Sequence, residues 1–447
     1  MYLTISFKKM KKTSFTIFTC FLYIATLFAQ KSFLAENKIS SEKVRFDNKQ
    51  ILPGAYQTKE YVPLLSGKRV GVFANNTATI DHTHLVDTLQ KLGVNITKIF
   101  GPEHGFRGAA NAGEKVDTYT DDKTGIMVVS LYGKKRKPSK EDLADVDVLL
   151  FDIQDVGVRF YTYISSLQEF MESAIENNKP LIILDRPNPN GFYVDGPVLD
   201  TAFKSFIGMQ PVPVVYGMTI GEYAGYLNGE NLLAGNTINS MQTAAKNALI
   251  GSAKNRLNIT VIKCRNYTHS SRYILPDKPS PNLPDAGSVY WYPSTCFFEG
   301  TVLSEGRGTD KPFQIFGHPD LPKNLYIFTP VANAGASDPK LKNQVCYGWN
   351  LSNDEGKAVQ KNDNRININY LLDAYKLFPD KANFFIKPKK SDSKPVDYFF
   401  NKLAGNAVLM QQIIDGKTEK EIRASWEPEL TAFKKIRKKY LLYPDFK

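Results

Sequence analysis

Cysteine is scarce, with four in 447 residues, and one of them, Cys20, falls inside an apolar run near the N-terminus. The other three, Cys264, Cys296 and Cys346, are odd in number and have no CxxC spacing, so neither a disulfide framework nor a cysteine-bound zinc site is expected. Histidine is nearly as rare, at five. His82 and His84 are two residues apart and would not face the same way on a helix, so no metal pair is expected. No HExxH or GxSxG occurs, which removes the motifs of zinc peptidases and serine hydrolases. GxGxxG and GxxxxGK[ST] are also missing, so nucleotide binding loses its usual signatures and no cofactor is expected. Apart from Lys134 to Lys137 there is no dense basic run, and no nucleic-acid partner is expected.

The remaining composition, 42% hydrophobic and 23% charged, is that of a globular chain long enough for more than one domain. The net charge is +12, and four of those charges, Lys8, Lys9, Lys11 and Lys12, precede the apolar run Phe15 to Phe28. That run has 14 residues, short of the ~20 that span a membrane. It ends at Ala29 and Gln30 and reads as a secretory signal peptide over residues 1–29, followed by a polar tether over 30–52. A periplasmic or secreted protein with no stable membrane anchor after cleavage is the expectation, and an uncleaved anchor is the alternative.

From Lys68 onward, short apolar runs alternate with amphipathic stretches. Strands are expected at 69–74, 96–100, 126–132, 146–153 and 180–185, with VPVVY at 212–216 as an extension. Helices are expected at His84 to Leu92, Thr162 to Asn178 and Ile220 to Leu227. Buried β-branched strands separated by helices predict a Rossmann-like, doubly wound, mostly parallel sheet over 53–255. A smaller α+β domain is expected over 256–447, with helices at Asn369 to Leu377, Val396 to Leu403 and Ala407 to Ile414. A last helical pair begins at the Thr418-x-x-Glu421 capping box.

Ligands of such sheets bind at the carboxyl ends of the strands. Three polar loops fall there: GPEHGFRG at 101–108, then Gln154 to Tyr163, then Arg186 to Gly191. Glu103 between glycines suits close approach to a ligand, though a solvated loop acid is the ordinary fate of a glutamate. His104 could contact a ligand or satisfy a buried carbonyl. Asp155 could act chemically or, like Asp152, brace the following helix. Arg159 beside Tyr161 and Tyr163 suits an anionic sugar, and equally suits plain packing on tyrosine. Arg186 and Asn188 complete this candidate binding set.

A second cluster, Glu299 to Thr309, places Glu305 and Arg307 among glycines, as a ligand-facing loop or as a bulge with exposed charges. Tyr290, Trp291 and Tyr292 nearby could stack a sugar ring or fill a core.

Taken in order, GPEHGFRG, FDIQDVGVRFYTY, DRPNPNG and SEGRGTDKPF resemble the NamZ-type exo-β-N-acetylmuramidases, a glycoside hydrolase family long listed as a domain of unknown function. The resemblance runs from about Gly71 to the C-terminus. It implies a Rossmann-like domain joined to a smaller one with the cleft between them, and release of N-acetylmuramic acid from the non-reducing ends of peptidoglycan fragments. It also implies that the family's proposed catalytic glutamate is Glu103. The second reacting group could then be Asp155, Glu305 or the substrate's own N-acetyl oxygen. A non-catalytic periplasmic muropeptide-binding protein using the same cleft is the competing expectation.

Overall fold

The computed structural model describes residues 50–103, 105–108, 117–233, 256–352 and 364–446. The expected signal peptide, most of the tether and His104 lie outside them.

Twelve strands are present among the described residues: β1 Val70–Ala74, β2 Thr79–Ile80, β3 Thr83–His84, β4 Ile96–Gly101, β5 Tyr119–Thr120, β6 Met127–Ser130, β7 Val148–Asp152, β8 Leu181–Leu184, β9 Ile259–Ile262, β10 Ile315–His318, β11 Tyr326–Phe328 and β12 Cys346–Asn350. Seven of them form one sheet in the order β5-β6-β4-β1-β7-β8-β9, parallel throughout except at β5. The chain runs outward from β1 through β4 to β6, then returns to β7 on the other side of β1. The strand order therefore reverses between β1 and β7, where an open α/β sheet has its ligand crevice.

The sheet is covered on both faces, as the unbroken apolar runs predict. Val70, Val72, Val148, Leu150, Ile182 and Leu184 belong to one core, while Phe73, Leu149, Phe151, Leu181 and Ile183 belong to the other. This is the alternation that the two-residue period of a strand imposes. Tyr61 and Leu65 of helix Thr58–Leu65, with Leu85, Val86 and Leu89 of helix Leu85–Lys91, fill the first core. On the second face Phe73 stacks on Phe151 at 4.9 Å and meets Phe170 of helix Tyr163–Glu176 at 5.0 Å. Each ring buried there stabilises the fold by roughly 1.5–3 kcal/mol. That second core does not stop at the sheet: it continues without a break through Trp291, Phe298, Phe316, Phe400 and Trp426 of the smaller domain.

VPVVY at 212–216 adds no strand; Val215 makes only isolated bridges to Val158 and Asp195. Pro211 and Pro213 explain this, since each removes a ladder N–H. Strand β9 lies beyond the expected division at 255/256, yet it pairs in parallel with β8 and belongs to the large sheet. The smaller domain holds the antiparallel sheet β10-β12-β11 and the C-terminal helices. The capping box at Thr418 and Glu421 forms as expected, and it opens one helix, Glu419–Arg437, in place of the expected pair. A helix unforeseen in the proline-rich stretch, Ala286–Thr295, starts from a second capping box at Asp285 and Ser288.

Candidate functional site

A cleft of about 670 Å³ opens where the carboxyl ends of β4 and β7 meet the smaller domain. Glu103 reaches it from the loop after β4, Phe160 and Tyr161 from the loop after β7, and Tyr163 from the first turn of helix Tyr163–Glu176. Tyr292, Glu299, Arg307 and Phe313 form the facing wall. Of the candidate site residues, the structure thus brings Glu103, Tyr161, Tyr163 and Arg307 to one cleft.

The loops are held tightly. Arg107 bonds both oxygens of Asp121 at 2.7 and 2.8 Å and Asp87 at 3.1 Å, anchoring the turn that carries Glu103. Gly108, at φ +73°, lies so close to Asn76 that a Cβ would fall 2.7 Å from the asparagine Cβ. Asn75, just past β1, donates to the Tyr163 hydroxyl at 2.8 Å, and the Tyr161 hydroxyl donates to the Pro279 carbonyl at 2.6 Å. Tyr161 meets Tyr163 edge-on at 4.9 Å, and Tyr292 meets Phe313 edge-on at 4.8 Å. Burial, and then the Glu103 carboxylate, push the Tyr132 hydroxyl up to about 12. Tyr132 therefore neighbours Glu103, a placement that sequence reading missed although the residue ends the apolar run of β6.

The facing wall is a charge network. Arg307 donates to Glu299 at 2.6 Å, stands 3.3 Å from Glu305, and lies over the Phe313 ring. Lys340 forms an ion pair with Glu305 at 2.8 Å, without full hydrogen-bond alignment. Two cations and two carboxylates balance, and burial is offset for Glu305 by Lys340 and Arg307, which leave its carboxyl below the usual range.

Five expectations need correction. Glu305 is 2% exposed and stands behind Arg307, outside the cleft lining, because its oxygens face Arg307 and Lys340. Asp155 is also buried outside the lining; it accepts from the Gly157 N–H at 2.6 Å and from the Tyr216 hydroxyl. Burial raises its carboxyl to about 7. Arg159 is 0% exposed and spends its guanidinium on the carbonyls of Pro197, Val212 and Leu403, at 2.7 to 2.8 Å. With no carboxylate beside it, burial lowers it to about 9. Arg186 pairs with Asp152 in two bonds of 2.5 and 2.8 Å, both side chains buried. Asn188 donates to the Met218 carbonyl at 2.8 Å and accepts from the Asn190 N–H at 2.8 Å, so this loop is a brace. Gly157, at φ +76°, lets that brace form, since a Cβ there would sit 2.1 Å from the Asn188 Oδ1. Trp291 is core, and only Tyr292 of the aromatic triplet reaches the cleft.

A second cavity of about 500 Å³ adjoins the cleft at Leu283. Its acids are committed elsewhere: Asp277 accepts from Thr79 at 2.6 Å and Asp285 caps its helix. Among the described residues no group of three or more His, Cys, Asp or Glu side chains is arranged to hold a metal ion.

Two family models match the chain, described as exo-beta-N-acetylmuramidase NamZ, N-terminal, over residues 70–287, and C-terminal, over 290–443. The peptidoglycan beta-N-acetylmuramidase NamZ of Bacillus subtilis (strain 168) is 34% identical over 97% of this chain and 100% of its own length. Two solved structures of DUF1343 family proteins from Bacteroides fragilis NCTC 9343 share the fold. One is 42% identical with a TM-score of 0.76, covering 89% of this chain and 100% of the other. The second is 28% identical with a TM-score of 0.66, covering 88% and 99%.

Proposed function

Because the chain belongs to the exo-β-N-acetylmuramidase NamZ family and is a peptidoglycan-acting glycosidase, we propose that it is exported and removes N-acetylmuramic acid from the non-reducing ends of peptidoglycan fragments. The observation that carries this reading is Glu103, a carboxyl group in a tyrosine-walled cleft at the sheet's carboxyl end, opposite the Arg307 guanidinium.

Glycoside hydrolysis needs an acid to protonate the departing oxygen. Glu103 fills that role in this reading. The aromatic edges of Tyr161, Tyr163 and Tyr292 offer apolar contact to a sugar ring. Arg307, whose Nη2 bonds Glu299 and whose Nε faces Glu305, brings a fixed positive charge to the wall, which suits the lactyl carboxylate distinguishing muramic acid from glucosamine. Export is supported by the four lysines ahead of the apolar run at Phe15 to Phe28, and the +12 charge suits an anionic cell-wall polymer.

The test is incubation of the purified protein with a chromogenic β-N-acetylmuraminide and, separately, the β-N-acetylglucosaminide. Release of chromophore from the first alone is expected. Binding of muropeptides without turnover would replace the enzyme with a receptor, and intact residues 1–29 in envelope protein, seen by mass spectrometry, would remove the cleaved-signal reading.

A further inference from the structure

The reaction requires a second group to meet the positive charge at the anomeric carbon, and of the protein groups expected for it beside the substrate's own N-acetyl oxygen, neither Asp155 nor Glu305 reaches the cleft. Among the described residues, the two carboxylates in the cleft lining are Glu103 and Glu299. They arrive from different domains, Glu103 from the loop after β4 and Glu299 from the short 3-10 helix Cys296–Gly300.

Glu299 sits on an unusually firm support. Lys340 donates to the carbonyls on either side of it in sequence, those of Phe298 at 2.8 Å and Thr301 at 3.1 Å. Gly300 presses so closely on the next domain helix, Phe399–Ala404, that a Cβ would fall 2.5 Å from the Phe400 Cα. Arg307 then bonds Glu299 Oε1 at 2.6 Å, and Glu305 stands behind Arg307. A chain of contacts from Lys340 through Glu305 and Arg307 thus fixes where this carboxylate points, the kind of supporting shell that a reacting group needs.

We propose that Glu299 is the second carboxylate of the reaction, the anion that meets the charge building at the anomeric carbon while Glu103 protonates the departing oxygen. The assignment rests on the glycosidase reading above. The bond from the anomeric carbon to the glycosidic oxygen breaks, its electron pair stays on that oxygen, and the Glu103 proton goes to the same atom. Water then gives its oxygen to the anomeric carbon and returns a proton to Glu103, so both carboxyl groups end as they began. Arg307 and Glu305 are positioning residues for Glu299.

The experiment uses Glu299→Gln and Glu299→Ala in the full chain, with an aryl β-N-acetylmuraminide and the natural disaccharide as substrates and sodium azide as external nucleophile. Glu299→Gln keeps the hydrogen bond to Arg307, so a purely structural role predicts near-normal kcat. The proposal predicts a fall of about 100-fold or more on both substrates, with no relief from the good leaving group. Azide should accelerate Glu299→Ala on the aryl substrate by roughly tenfold or more and yield a muramyl azide, because a small anion enters the space the carboxylate left. Glu299→Gln retaining more than a tenth of wild-type kcat overturns the proposal. So does a folded, inactive Glu299→Ala that azide neither accelerates nor converts to the azide product. Wild-type protein inert on the muraminide would instead sink the glycosidase reading itself.

Discussion

Asn75 donates its side-chain amide to the hydroxyl of Tyr163 at 2.8 Å, joining the turn after β1 to the start of the helix that follows β7. The bond spans the point where the strand order of the sheet reverses, so the cleft is bridged at its floor by two buried side chains. Burial, and to a smaller extent the Glu103 carboxylate, raise the Tyr163 hydroxyl, while its bonds with Tyr161 and Asn75 work against the rise. Sheet topology and the Glu103 carboxylate are thereby connected through one tyrosine.

Glu103→Gln is expected to keep substrate binding and lower turnover of the natural disaccharide by roughly 100-fold or more, because the amide cannot deliver a proton. The loss on a nitrophenyl muraminide should be smaller, since that leaving group departs with little protonation. Steady-state kcat and KM on both substrates decide it; equal losses would move Glu103 to another role.

Arg307→Lys should narrow the preference for muraminide over glucosaminide, measured as the ratio of kcat/KM, because an ammonium cannot reproduce the planar fork. Arg159→Ala should act on stability instead. It leaves the buried carbonyls of Pro197 and Leu403 without the guanidinium donor and Val212 with the Leu199 N–H alone, a loss of about 3 kcal/mol or more, read from urea denaturation.

Asp152→Asn breaks a pair in which both partners are buried, stranding the Arg186 charge. Removing one partner of such a pair costs about 3–5 kcal/mol, and urea midpoints measure it. Activity per folded molecule should fall less than stability, since neither residue lines the cleft.

The pH dependence of stability carries the mark of Asp155. Burial raises its carboxyl from 3.8 to about 7 in the folded protein. The folded state therefore holds a proton that the unfolded chain releases, and its contribution is full below about pH 4 and disappears as pH rises through about 7. Asp155→Asn should show a flatter loss of melting temperature across that window than wild type. Parallel curves would place the titration elsewhere.

Strands β1, β7 and β8 were legible because a strand buried on both faces is written as an uninterrupted apolar run, and β4 and β6 because their apolar, β-branched residues sit between helical stretches. The site was half legible. Sequence locates a residue at a strand end, and that suffices for Glu103, Tyr161 and Tyr163. It does not say which way a side chain turns, and Asp155, Arg159, Arg186 and Asn188 in the same motifs turn inward. Their polar atoms fasten loops to one another, so the motif is dense in charge for structural reasons. Glu305 drew attention through its flanking glycines, while Glu299, six residues earlier, occupies the cleft. The helix Ala286–Thr295 was hidden by prolines around it, and with it the placement of Tyr292.

The apolar core that runs from Phe73 and Phe151 through Trp291, Phe316 and Trp426 makes each domain the water barrier of the other. Cut apart, each would display half of a hydrophobic interior as bare surface and aggregate. Glu103 and Glu299 therefore stand on walls that share one interior.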